Sequence, residues 1–386
     1  MIKFPHRSRS FRPGLLAATL ISTAIGASVA TPSQAASITL NETGSTLLYP
    51  LFQSWIAGYK SVAPDIDLSA AATGSGVGEA AALAGEVTIG ASDAYLSDKV
   101  ASQNPNILDI PLAISAQTIN YNLPGLNGGN IKIDGPTLAA IYSGTVTQWD
   151  DAKIKAMNPD VTLPHQTIVP VRRAESSGDT FIFTQFLDFA TETGVNEPGY
   201  DATISGTNVG TIIAWPKVGT NISWPDVAAE KSATGNDGVV QTLAATPYSI
   251  GYVGISYGDQ IAKAGLGTAM VKNQDGKFLL PTPQSIADGA ARLDPRTPPY
   301  ERITLIFAPG DNSYPLINYE YAVVSKKQPD AATADALRTF LLWSISGIGG
   351  NSANYLKPVG FIPLPDFIRG LSEAQIAEIK GRSAGE

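Results

Sequence analysis

The chain contains no cysteine and only two histidines. Without cysteine there is no disulfide, no thiolate nucleophile and no lipid attachment at an export-signal cleavage site. One of the histidines, His6, falls in an N-terminal leader, so a single imidazole remains, in Leu163-Pro164-His165. That supply argues against a zinc site, and against a Ser-His-Asp or Cys-His hydrolase unless His165 is the base. Neither G-x-S-x-G nor a Walker A sequence occurs. Membrane-spanning runs are also missing: the apolar stretch from Leu15 to Ala30 is short for a span. It follows Lys3, Arg7, Arg9 and Arg12 and leads into Ser33-Gln34-Ala35-Ala36, the layout of a secretory signal peptide over residues 1–36, cleaved between Ala30 and Ser37. A serine separates Arg7 from Arg9, so this is not a twin-arginine signal. The mature protein is therefore expected to be free in the periplasm. Basic side chains are scarce as well. Removing the four in the leader leaves 22 Lys and Arg against 34 Asp and Glu, a formal charge of −12, which argues against a nucleic-acid partner. A small anion is still admissible, because a site can be locally positive on an acidic protein.

A length of 386 residues favours two domains. The mature chain alternates strand, glycine turn and helix. Ser37–Leu40 reads as a strand, and Leu47, Leu48, Leu51, Phe52, Trp55, Ile56 and Tyr59 recur at helical spacing. Ile66–Ala71 is strand-like, Glu79–Ala84 helical, and Val87–Ala91 a short strand. Ile107–Ile114 and Thr118–Leu123 read as two strands, and Ile168–Val171, Ile250–Val253 and Ile317–Val324 as three more. Helices are expected over Gly135–Tyr142, Asp150–Met157, Val239–Ala245, Gln284–Arg292, Ala332–Trp343 and Ser372–Ile379, with 191–235 as irregular surface. This alternation predicts α/β units.

The centre of the sequence is Arg172-Arg173-Ala174-Glu175-Ser176-Ser177-Gly178-Asp179-Thr180-Phe181, which follows a strand and opens an apolar helix. Unpartnered N–H groups and the helix dipole at such a start attract an anion, and Arg173 adds a permanent fork of donors. Asp179 should repel the same anion. Thr43-Gly44-Ser45-Thr46 and Thr73-Gly74-Ser75-Gly76 have the same form, and in open α/β sheets such turns lie at the ligand-binding ends of strands. Three ordinary capped helices, with Ser177 as an N-cap, would read alike. Asp93, after Gly90-Ala91-Ser92, would cost several kcal/mol beside a bare anion unless it accepted a proton from the ligand. Phosphate carries a proton near neutral pH and sulfate does not, so an acceptor carboxylate selects the former.

In this order, the turn before Thr46, Thr-Gly-Ser-Gly at 73–76, Gly-Ala-Ser-Asp-Ala at 90–94 and Arg-Arg-Ala-x-x-Ser-Gly at 172–178 resemble the substrate-binding proteins of bacterial phosphate ABC transporters. Gln148-Trp149-Asp150-Asp151, Gly235-Asn236-Asp237-Gly238 and Ile250-Gly251-Tyr252-Val253 are similar too. The resemblance implies a two-lobed, type II periplasmic binding protein-like fold. Lobe one would be residues 37–119 plus 317–386 and lobe two 122–314, with two hinge crossings near Asn120-Tyr121 and Pro315-Leu316. It implies phosphate ligands at Thr46, Leu47 (through its amide), Ser75, Asp93, Arg173, Ser177 and Gly178, with Glu175 bracing the arginine. Leu47 and Asp179 depart from the commonest pattern, where phenylalanine and threonine stand. A subgroup with Ser-Gly-Asp-Thr-Phe looks closest, and in it Asp179 would be a second acceptor. The expected partners are inorganic phosphate and a membrane permease and ATPase, with no cofactor, no catalysis and a monomeric state. The alternatives are the same fold carrying sulfate, molybdate or arsenate, a phosphatase, and a phosphate-binding sensor or adhesin.

Overall fold

The structure is a computed structural model that describes residues 37–126, 130–191, 215 and 217–382. The leader expected at 1–36 and most of the irregular stretch expected at 191–235 lie outside the described residues.

The first α/β units are β1 (Ile38–Gly44), α1 (Tyr49–Tyr59), β2 (Ile66–Ser69), α2 (Ser75–Ala84) and β3 (Ile89–Ser92). β2 and β3 flank β1, both parallel to it. The apolar face of α1 is buried at Leu51, Phe52, Trp55 and Tyr59, and Trp55 and Tyr59 meet Phe340 edge to face on the helix Ala331–Ile345. A 15-residue strand, β4 (Ile107–Tyr121), follows. The chain then runs through β5 (Val169–Arg173), α3 (Gly178–Thr191), β6 (Lys231–Ala233), α4 (Gly235–Ala245), β7 (Ser249–Gly254) and β8 (Ile317–Ser325).

These strands form one sheet in the order β2-β1-β3-β8-β4-β7-β5-β6, with Gly267–Thr268 pairing beside the end of β4. β8 runs antiparallel to Ile107–Ala116, and β7 runs antiparallel to Gln117–Tyr121. One strand thus changes partner between Ala116 and Gln117 and joins two α/β halves, giving the two-lobed architecture. β4 was expected as two strands broken around residues 115–117. It is continuous because the polar side chains there are bonded internally. Ser115 Oγ donates to Glu320 Oε1 at 2.5 Å, and Gln117 Nε2 donates to the Asp179 carbonyl at 2.9 Å. Buried polar groups with partners do not interrupt a ladder. The last helix spans Asp366–Ile376 and starts six residues earlier than expected. Pro365 precedes it with extended backbone and Asp366 occupies the first turn, a favourable charge at that end.

Candidate functional site

Five turns at the carboxyl ends of β1, β2, β3, β5 and β6 converge. They contain all eight residues singled out in the sequence together with several that were not. α2 begins at Ser75, not at Glu79 as expected. The reason is Gly74, whose φ of +96° is a conformation open to glycine, so the helix starts directly after it. Ser75 Oγ therefore donates to Asp93 Oδ2 at 3.1 Å. Ser45 Oγ donates to Asp93 Oδ1 and accepts the Leu48 amide at 2.9 Å. Asp93 itself is buried. Burial, and then the nearby charge of Asp179, push its carboxyl up to about 6, against the pull of Ser45 and Arg173.

Arg173, the last residue of β5, is 2% exposed. Its Nε donates to Glu175 Oε1 at 2.8 Å, Nη2 reaches the same oxygen, and Nη1 reaches Asp179 Oδ2. Glu175 also accepts the Gly235 amide at 2.9 Å. Tyr252 Oη accepts the Arg173 amide at 3.1 Å, so the backbone of the arginine is held as well as its guanidinium. Asp179, fully buried in the first turn of α3, accepts from Gln117 Nε2 at 3.1 Å and from Asn236 Nδ2 at 2.7 Å. The misfit read in the sequence thus has a structural counterpart: Asp179 sits in the anion loop as the counterion of Arg173.

Ser177 stands before α3, where a cap was the ordinary expectation. Its Oγ is buried without a hydrogen-bond partner, while its amide donates to the Thr220 carbonyl at 2.8 Å. Gly178 lies where a β-carbon would come within 2.5 Å of Asp93 Oδ2 and 2.6 Å of Ser75 Oγ. The start of α3 therefore touches the β3 and α2 turns directly. Thr46 Oγ1 accepts from Asn236 Nδ2 at 2.8 Å, which ties the first turn to the fifth. Leu47 is buried against Gly254, and its carbonyl accepts from Ser256 Oγ at 2.7 Å.

Sequence reasoning missed Ser45, Gln117 and Asn236 as parts of the cluster. Asn236 lay in a quoted motif, Gly235-Asn236-Asp237-Gly238, whose order could have flagged it. Gln117 lay in the supposed gap between two strands, where no spacing points inward. His165 pairs with Asp150 at 3.0 Å on the surface with its side chain 82% exposed, apart from this cluster. Among the described residues, no group of three or more His, Asp or Glu side chains is arranged to hold a metal.

Residues 29–347 match the PBP superfamily domain. The chain is 28% identical over 359 residues to the phosphate-binding protein PstS of Methanocaldococcus jannaschii, covering 89% of this chain and 87% of that protein. It is 29% identical over 338 residues to phosphate-binding protein PstS 3 of Mycobacterium leprae, covering 85% and 83%. The fold is similar to that of a crystallised phosphate-binding protein from Stenotrophomonas maltophilia, with a TM-score of 0.64 at 22% identity over 87% of this chain and 93% of that one.

Proposed function

The chain belongs to the PBP superfamily, and from that premise we propose that it binds inorganic phosphate outside the cytoplasm and delivers it to an ABC transporter's permease and ATPase. The observation that carries the reading is the composition of the cluster. A buried arginine, a buried serine hydroxyl with no internal partner and a buried carboxylate acceptor share one site. Donors alone would take any oxoanion. Asp93 among them requires a ligand with a proton to give. The relatives whose names record phosphate binding support the same ligand.

In this reading Thr46 and the Leu47 amide donate from the first turn and Ser75 from the second. Asp93 accepts the phosphate proton. Arg173, Ser177 and the Gly178 amide hold the remaining oxygens, and Asp179 orients Arg173 and offers a second acceptor. The role in this reading is binding without turnover, which the relatives named for phosphate binding support. Lobe one is read as 37–119 and 317–386 and lobe two as 122–314, with hinges at the crossings near Pro315-Leu316 and near Asn120-Tyr121, the latter a few residues beyond the point where β4 passes from β8 to β7. Contacts from both lobes then stabilise the closed state by differential affinity. The mature protein is exported by the leader at 1–36 and acts as a free monomer.

Isothermal titration tests the ligand. Phosphate should bind one-to-one, and a hundredfold excess of sulfate should leave that isotherm unchanged. Competition by sulfate would remove the proton-acceptor role of Asp93. Arsenate, which carries a proton in the same pH range, is expected to compete.

A further inference from the structure

Behind Asp93 lies a second carboxyl that the ligand roles do not use. Glu320 sits on β8 with no exposed surface. Its Oε1 accepts from Ser115 Oγ at 2.5 Å and from Asn318 Nδ2 at 3.0 Å. Asn318 Nδ2 also donates to the Asp93 carbonyl at 3.2 Å, so one amide ties the two carboxyl residues together. The register Tyr321↔Ser92 brings Glu320 alongside Asp93 on the neighbouring strand. Its other oxygen, Oε2, is buried with no donor against it, and the Glu320 and Asp93 side chains lie within hydrogen-bonding reach of each other.

Two buried carboxylates in contact cannot both stay ionised, and one proton between them turns repulsion into a hydrogen bond. We propose that Glu320 keeps this proton and donates it from Oε2 to Asp93, acting as a positioning residue that holds Asp93 ionised and aimed at the ligand. The proposal rests on the phosphate reading of the site. The direction of titration agrees with it. Burial, and then the charge of Asp93, hold the Glu320 carboxyl well above its usual range, while its hydrogen bond is among the influences that pull Asp93 down. The other charges bearing on Asp93 are Asp179, which raises it, and Arg173, which lowers it; Glu79, hydrogen-bonded to Ser92, feels Asp93 as well. Such a pair titrates as a unit, not as two separate residues.

A bound dianion raises the proton affinity of the pair, so the complex holds its proton to higher pH than the free protein. Affinity must then fall as pH rises through the titration of the free pair, by up to about tenfold per pH unit for one proton. Free phosphate has already lost its second proton above about pH 8, so the fall there belongs to the protein. Phosphate titrations between pH 8 and 10 on wild type and Glu320→Gln separate the cases. Glutamine keeps a donor and loses the titratable group. The variant should bind within about threefold of wild type at neutral pH and show a flattened alkaline limb; parallel limbs would overturn the proposal. Infrared spectra of the ligand-free proteins give a readout independent of phosphate. Other buried acids give bands common to both proteins, so the wild-type-minus-Glu320→Gln difference spectrum should carry one protonated-carboxyl C=O stretch, and identical spectra would count equally against it. If Glu320→Gln does not fold, Asp93→Asn decides: the surviving acid of Glu320 should then titrate at lower pH than in wild type, and an unchanged titration would sink the idea. Should wild type bind no phosphate, the proposed function fails, while the infrared test still judges the pair.

Discussion

At the scale of single residues, Arg173 and Ser177 differ in what they do when no ligand is bound. Arg173 neutralises two carboxylates, Glu175 and Asp179, inside the protein. Ser177 Oγ has no internal bond to lose. Arg173→Ala should therefore weaken phosphate binding by more than about 2 kcal/mol and also lower the stability of the free protein, because a buried carboxylate left without its cation costs about 3–5 kcal/mol. Ser177→Ala should weaken binding by about 1 kcal/mol and leave the ligand-free unfolding midpoint unchanged or slightly higher, since it removes an unsatisfied buried hydroxyl. Titration calorimetry and urea unfolding on both variants check the pair. Equal affinity losses would place Arg173 away from the ligand, and a destabilised Ser177→Ala would give its hydroxyl a structural partner.

At the scale of elements, the position of Ser75 depends on how closely α2 lies on β1 and β3. A β-carbon on Gly78 would come 2.6 Å from the Thr43 carbonyl oxygen and 2.7 Å from that of Ala91, both backbone atoms that cannot swing aside. Gly90 is equally crowded by the backbone of Gly78. Helix and strands thus meet backbone to backbone. Gly78→Ala should lift α2, cost about 1–3 kcal/mol through overpacking and weaken phosphate binding by displacing Ser75 from Asp93. Gly370, in the helix Asp366–Ile376, has open space around the same position. Gly370→Ala should stabilise by up to about 1 kcal/mol through helix propensity alone. Chemical denaturation that ranks the two variants the other way would show that α2 can shift without strain.

At the scale of the whole molecule, acid groups are buried well beyond the site. Burial pushes Glu79 and Glu301 up to about 8 and Asp109 up to about 7. Burial also raises Asp294 to about 6 and, with the charge of Asp179, Asp93 to about 6. Each of these folded-state values lies above the unfolded one, so between about pH 4 and 8 the native protein holds more protons than the unfolded chain. Stability must then fall as pH rises across that window. The ligand-free protein is expected to melt at a higher temperature at pH 5 than at pH 8. A melting temperature that rises with pH over this range would mean that these carboxyls are ionised in the fold and compensated by charges or donors elsewhere.

The α/β class and the anion turns were legible in the sequence because each is a local matter, whereas the eight candidate residues were named mainly through likeness in residue order. Glycine and hydroxyl residues after a strand declare a turn, helical spacing declares a buried face, and residue order carried the family likeness. Strand β4 was not legible as one piece. Ser115 and Gln117 look like a break until the partners that satisfy them, Glu320 and Asp179, arrive from residues 205 and 62 positions away in the chain. The same distance hid Asn236, whose amide joins Thr46 to Asp179, and the contact of Glu320 with Asp93. Sequence by itself could say that Asp179 did not suit a plain anion site. Only the tertiary structure could show its contacts, because Gln117 and Asn236, 62 and 57 positions away, are brought to Asp179 by strand order and register, which no local pattern encodes.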